Sequence, residues 1–459
     1  MTKEHIRRTF RFLGPPALSL DDGNGMVTFR LRSRLALGVL AISLGLPPIL
    51  FGQDFLGILV LYAAAGVLLG SRLLRRNAKA LAACLLVLLV YSITAVVGSF
   101  FFDLPGSEAD ASRFLRQATF YASVSQLPEY HGGASVYVGF LSIIFSAFGP
   151  SKFAALALNA FAVSLTLLAV CNLRAKLAGE GRVGPGFVLL FGLLPSALLF
   201  RSAILREAWE GLFFSLAVLF LCQISIRASV RSLAFFLVFG LLGAALHSAL
   251  AIFLVSAGPI VAIVRALTGE GSALRRAILV IGSALLVLPI GAMGALTAVR
   301  DNRVEKFSTT LISEGGGEAL GGLQGDGRGG ATYAHAPGMT GNPLLRIPAG
   351  LIYYWLAPFP WQFRSGIDLL AFLENLLRVA LFVSAIFGCK RIERTARAGP
   401  MTAIACVFVL ELIWSAGTSN WGTALRHHIP AFGVLCAVGW PLTFPRKVDQ
   451  AKREPSRVG

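Results

Sequence analysis

The sequence predicts an all-α fold: a polytopic transmembrane helical bundle of about twelve spans plus two interfacial or re-entrant segments. Three observations predict it. The 459 residues are 56% hydrophobic and only 14% charged, with a mean hydropathy of +0.73, whereas soluble domains average about 45–50% apolar and about 25% charged. Apolar runs of about 17–25 residues recur down the whole chain, the length that crosses a hydrocarbon core of about 30 Å. Backbone groups in lipid must be satisfied within their own segment, so such runs are helices. No alternating barrel-type pattern is present.

The elements follow in order. Residues 1–34 form a polar tail carrying Arg7, Arg8, Arg11, Arg30, Arg32 and Arg34, expected in the cytoplasm, and they lack the features of a cleavable signal peptide. Residues 35–80 form an amino-terminal hairpin, with spans near 35–51 and 55–71 joined by a turn at Asp54. The core, 81–298, holds spans near 81–102, 152–173, 186–201, 207–225, 232–246, 248–265 and 277–298, with a first outer loop at 103–133. A second outer loop, 299–365, is Gly-rich in its middle and ends in the aromatic, Pro-punctuated stretch LLRIPAGLIYYWLAPFPWQFR, which is expected to dip into the membrane. Residues 366–445 carry spans near 367–389, 400–416 and 428–445, and 446–459 is a second basic tail.

The two apolar segments 134–149 and 347–360 are read as interfacial or re-entrant, because a crossing at either would move basic loops to the wrong side. This parity places the clusters at Arg72–Lys79, Arg227–Arg231, Arg265–Arg276 and Lys390–Arg397 on one side, with both termini cytoplasmic. The formal charge of +18 is then explained by the positive-inside rule, and no nucleic-acid partner is implied. The six cysteines lie in or beside apolar runs without CxxC spacing and read as small buried hydrophobes.

Unusual chemistry gathers on the outer face. The first loop holds Glu108 and Asp110 near Arg113 and Arg116, and a helix there puts Asp110, Arg113 and Gln117 on one face. A carboxylate so placed can take a proton from a hydroxyl or hold a divalent cation; an ordinary solvated helix start is the plainer explanation. The next outer turn carries Arg201, Arg206, Glu207 and Glu210, with both acids in the first turn of a returning helix, where the macrodipole favours anions. A third turn carries Arg426, His427 and His428, a group suited to phosphate oxygens or to capping the last helix. His247 is expected as a packed polar residue, Glu374 and Arg378 as an i, i+4 pair, and Glu411 as a buried acid needing a partner. The aromatic stretch from Tyr353 to Phe363 fits an interfacial belt. No P-loop, HExxH or hydrolase elbow motif is present, so cytoplasmic nucleotide-driven chemistry has no support.

In layout the chain resembles the GT-C superfamily of membrane glycosyltransferases, of the protein O-mannosyltransferase and aminoarabinose transferase types. The resemblance rests on the SEADASRFLRQA stretch after a span, the short YVGFLSIIFSAFG segment that follows, the SAILREAWEG turn, and the late Arg-containing turn, and it covers roughly residues 81–445. It implies a polyprenyl-phosphate-linked sugar donor, a glycan, lipid or protein acceptor, and a site on the outer face of a bacterial inner membrane. Asp110, or else Glu108, takes the place of the first-loop acid, and Glu207 that of the second; Arg206, Arg426, Arg201 and His427 are the implied donor phosphate contacts. The resemblance leaves open whether a divalent cation takes part. The chain lacks the adjacent Asp-Glu pair familiar in the first loop and has an extra amino-terminal hairpin. O-antigen and exopolysaccharide polymerases share the layout, with Arg201, Arg206, Arg346, Arg364 and Arg426 as their functional arginines here. A transporter or lipid-linked oligosaccharide flippase is the alternative of a different class, kept open by Glu374 and Glu411.

Overall fold

The computed structural model describes residues 52–103, 110–179, 182–268, 343–393, 396–418 and 420–440. The expected spans near 35–51 and 277–298, both tails and Glu108 lie outside the described residues. Among the described residues the fold is all helical, with no strand.

Along the chain these helices are α1 (Phe55–Gly70), α2 (Arg72–Arg75), α3 (Ala78–Phe100), α4 (Asp110–Ser123), α5 (Gly133–Phe148), α6 (Lys152–Ala178), α7 (Pro185–Leu193) and α8 (Pro195–Ser202). They continue as α9 (Glu207–Ile226), α10 (Val230–Leu246), α11 (Ser248–Thr268), α12 (Pro343–Leu356), α13 (Gly366–Lys390), α14 (Ala398–Gly417), α15 (Trp421–His427) and α16 (Ile429–Gly439). Among the described residues six stretches are long and apolar enough to cross a membrane: α3, α6, α9, α11, α13 and residues Ala398–Ser415 of α14. Their boundaries follow the apolar runs because hydrocarbon length and internal hydrogen bonding leave no other solution. Large apolar side chains such as Leu89, Ile93, Ile263, Leu373 and Phe387 are exposed on the bundle surface, as lipid contact requires. The protein is a helical membrane protein.

The run at 186–201, read from sequence as one span, is broken. Pro195 supplies no backbone N–H and forces Leu194 out of helical geometry (ψ 127°), so α7 and α8 meet at a bend of 57°.

Side-chain ties define the two ends of the bundle. At one end Ser151 Oγ donates to Asp54 Oδ1 at 2.5 Å, and Lys152 Nζ reaches Asp103 Oδ1 at 2.6 Å. At the other, Asn77 Nδ2 donates to the Val183 carbonyl at 2.5 Å, Arg265 Nε to the Ser225 carbonyl at 3.1 Å, and Arg397 Nη2 to the Lys390 carbonyl at 2.9 Å. The second end is the basic one.

Helix α5 packs near the first end. Its first residue, Gly133, lies against the Leu246 carbonyl at the close of α10, and its last turn runs into Ser151 beside Asp54. Near its start Tyr137 donates to Asn159, about 10 Å along α6 from Lys152, so this helix of about 24 Å rises obliquely toward Ser151. The aromatic segment runs beside α13: Asn375 Nδ2, about 14 Å along that helix from its start, donates to the Ala357 carbonyl at 2.6 Å. The chain is back at the start of α13 by Ser365. All six cysteines are free and buried, as apolar packing residues.

Candidate active site

The site is built where α4, α5, α9, α10 and α15 meet. The starting point is the non-helical link Ala203–Leu205 between α8 and α9. Its carbonyls have no helical partners, and Asn159, fully buried on α6, supplies them. Asn159 Nδ2 donates to Ala203 O at 2.5 Å and Leu205 O at 3.1 Å, while its Oδ1 accepts from Trp209 Nε1 at 3.1 Å and Tyr137 Oη at 3.4 Å. One amide thus spends its capacity fixing the turn that aims Arg206 and Glu207. Sequence reading passed over Asn159, although a lone Asn inside an apolar run is a visible signal.

Arg206 closes that turn. Its Nη1 donates to the Leu246 carbonyl at 2.9 Å, one of the unpaired carbonyls at the end of α10. Its Nε lies 2.9 Å from Glu210 Oε1, a close ion pair not aligned for a hydrogen bond. Gly133 is required here because a Cβ would stand 1.7 Å from Leu246 O and 3.0 Å from Arg206 Nη1.

Glu207 opens α9, and the helix N-terminus favours its charge. Arg426 reaches it from α15, a helix capped by Asn420, whose Oδ1 accepts from Gly422 N at 2.7 Å and Thr423 N at 3.3 Å. The Arg426 guanidinium bridges two acids. Nε donates to Glu207 Oε1, and Nη1 donates to Asp110 Oδ2 at 2.8 Å. Asp110 Oδ1 accepts from Arg113 Nη2 at 3.0 Å, the i, i+3 pairing expected along α4. Ala111, Phe114 and Ala118 turn inward from the same helix and dock it on α5.

Burial alone raises the Asp110 carboxyl, but the hydrogen bond and charge of Arg426, with Arg113 and Arg206, outweigh it and hold the group below the ordinary aspartate value. The two acids in turn raise Arg426 above its usual range against the opposing effect of burial. Glu207 keeps one oxygen, Oε2, buried and without a hydrogen-bond partner.

Of the expected site residues, Asp110, Glu207, Arg206 and Arg426 come together. His427 joins them as a neutral ring. Burial first, then Arg426, Arg206 and His428, push its imidazole down to about 3. Its Nδ1 is 3.0 Å from Thr418 Oγ1, and the ring stacks on Trp414 at 5.4 Å. His427 therefore brings no positive charge to a phosphate at neutral pH. Arg201 is committed elsewhere: fully buried over the Phe191 ring at 4.5 Å, it donates from Nη2 to the Ile429 carbonyl at 3.0 Å. Arg364 is exposed on the loop before α13, and the Arg346 side chain lies outside the described residues. His247 is packed as expected, its Nδ1 accepting from Ala249 N at 3.1 Å and its ring 5.7 Å from that of His427.

A divalent cation does not fit this arrangement. The Arg426 guanidinium occupies the position between Asp110 and Glu207 that a cation would take. Among the described residues no three His, Cys, Asp or Glu side chains form a metal ligand group.

No family model matches the chain, and neither a curated protein nor a solved structure matches it.

Proposed function

We propose that the protein is a membrane glycosyltransferase that moves a sugar from a polyprenyl-phosphate-linked donor to a glycan, lipid or protein acceptor in cell-envelope assembly. In this reading the bundle has about twelve spans in a bacterial inner membrane. The basic end faces the cytoplasm with both termini, and the site lies on the outer face. The observation that carries the reading is the bridge of Arg426 between Asp110 and Glu207. Two carboxylates and two arginines from distant parts of the chain meet beside apolar helices that suit a lipid tail.

The chemistry follows from the partners. The donor phosphate competes with the carboxylates for Arg426 and Arg206, which hold phosphate oxygens by charge-assisted hydrogen bonds. As Arg426 turns to the phosphate, Asp110 is released. Asp110 accepts the proton of the acceptor hydroxyl as its oxygen attacks the anomeric carbon. The bond from that carbon to the phosphate oxygen breaks, and the negative charge developing on the phosphate falls on the two arginines. Glu207 orders the arginine and the acceptor. Donor binding thereby arms the base.

Purified protein in liposomes, offered polyprenyl-phosphate sugars and a set of acceptors, is expected to form a glycosidic bond. Asp110→Asn is expected to lose at least about 100-fold in rate, the scale of general-base loss. Full turnover by that variant would overturn the assignment.

A flippase or transporter is the second reading. The 57° break between α7 and α8 and the buried Glu374–Arg378 pair at 3.0 Å favour it, since broken helices and buried charges build transport sites. Flux of a lipid-linked glycan across proteoliposomes without bond change would support it.

A further inference from the structure

A second polar cluster lies deeper in the bundle and takes no part in the site above. His428 closes α15, and its Nδ1 is 2.6 Å from Glu411 Oε2 on α14. Its Nε2 is 3.1 Å from the backbone carbonyl of Tyr354 on the aromatic segment. Glu411 and His428 are each 2% exposed. Among sequence features, Glu411 stood without a partner, and His428 is that partner.

Hydrogen bookkeeping fixes the proton count. A carbonyl only accepts, so Nε2 carries a hydrogen. A contact of 2.6 Å between Nδ1 and a carboxylate oxygen then needs one more proton. It sits on the ring, giving imidazolium against carboxylate, or on Glu411, giving a neutral acid against a neutral ring. A ring lone pair facing an ionised carboxylate at that distance is repulsive. The charges around the pair agree. Arg378 and Glu374 on α13 cancel each other at 3.0 Å, and Arg378 also lies within electrostatic reach of Glu411. The Tyr354 ring is 4.3 Å and the Trp355 ring 6.1 Å from the imidazole, and both are uncharged. His427, on α15, is neutral. Without the extra proton an ionised Glu411 faces a ring lone pair with no hydrogen between them, an unfavourable state among buried helices.

We propose that Glu411 and His428 form a buried proton-binding site that holds one shared proton and fastens the aromatic segment to the bundle. The site joins α14, the start of α16 and the end of α12 through one imidazole. It stands independently of the glycosyl-transfer reading.

The test uses the full chain in lipid nanodiscs at neutral pH. Nitrogen NMR of labelled histidine, with the signal assigned by its loss in His428→Gln, reports the ring. Infrared spectra compared with Glu411→Gln report the acid. The expected result is a ring protonated on both nitrogens, or a singly protonated ring together with a protonated-carboxyl band that Glu411→Gln removes. A neutral ring alongside an ionised Glu411 would overturn the proposal. Should His428→Gln fail to fold, Glu411→Gln alone suffices: its amide still donates to Nδ1, so the ring becomes singly protonated or the acid band disappears. The fastening is read by hydrogen exchange over residues 351–362, expected to quicken at least severalfold in Glu411→Leu and to stay near wild type in Glu411→Gln. Equal exchange in both variants and wild type would remove the clamp.

Discussion

Asp110 and Arg426 stand 316 positions apart in the chain and meet at 2.8 Å. The contact ties the amphipathic helix α4 to the turn between the last two bundle helices. It also shows which of the scattered charges meet as a group.

The Arg426 bridge predicts a large asymmetry between breaking and replacing it. Glu207 is 4% exposed in this pair and Arg426 20%. Removing one partner of a buried pair costs roughly 3–5 kcal/mol, whereas replacing both with apolar groups is often neutral. Arg426→Met is therefore expected to lose several kcal/mol, and Arg426→Met with Glu207→Leu to recover most of it. Denaturant unfolding of the variants in detergent micelles measures both.

Asp110 predicts an acid limb. Its depressed pKa contributes stability that is complete above the unfolded-state value, about 4, and is lost as pH falls through the folded value. The stability difference between wild type and Asp110→Asn should stay constant from neutral pH down to about 5 and shrink below about 4. Thermal unfolding across that range checks it. Because Asp110 is 38% exposed, the difference itself is expected to be modest.

Gly133 predicts a steric test with an internal control. A methyl at Gly133 meets the backbone carbonyl of Leu246 at 1.7 Å, and backbone cannot swing away. Gly133→Ala should cost about 1–3 kcal/mol by overpacking and displace Arg206. Gly66 has nothing within 4 Å of the same methyl, so Gly66→Ala should be neutral or stabilise by up to about 1 kcal/mol. Melting temperatures of the two variants should move in opposite directions or by clearly different amounts.

Asn159 predicts a positioning effect. Asn159→Leu strips the side-chain partner from the buried Leu205 carbonyl and from the Trp209 indole, which costs about 1–3 kcal/mol for each group left unmet, while Ala203 O keeps the Leu205 N–H at 2.8 Å. The turn at Arg206 should loosen, seen as faster hydrogen exchange at residues 203–209. Any turnover should fall in kcat more than it rises in KM, because Asn159 touches no substrate.

The two ends predict a labelling pattern. Native cysteines are buried, so background labelling is low. Cysteine introduced at Gln126, at the site end, and at Arg227, at the basic end, should react with impermeant reagents from opposite faces of oriented vesicles. Labelling of both from one face would reject the topology.

Much of this was legible in the sequence. Hydrocarbon length fixes where α3, α6, α9, α11, α13 and α14 run. Asp110, Glu207 and Arg426 stand out because charge beside hydrocarbon is costly. Their mutual contact was not legible, since it depends on the packing of helices hundreds of residues apart. Arg201 shows the limit: composition groups it with Arg206, yet it lies one turn before the irregular link and points at Ile429 instead. His427 and His428 are adjacent in sequence but face different partners, Thr418 and Glu411. The break at Pro195 was visible as a proline in an apolar run, but the partner at the bend was not: Glu374 accepts from the Ser196 backbone N–H at 2.9 Å.

Helix α9 carries Glu207 at its tip and packs along its length of about 30 Å against α6, α10, α14 and α16. It is buried along most of its length, so its two ends are held within one packed unit. At Gly211, one turn below Glu207, an added methyl would stand 3.7 Å from Pro430 Cα, in ordinary van der Waals contact. A tilt of α9 imposed near its basic foot, where Cys222 meets the Gly399 carbonyl at 3.3 Å, is delivered to Glu207 as a displacement of the carboxylate. The seat of Cys222 and the position of Glu207 thus belong to one packed helix.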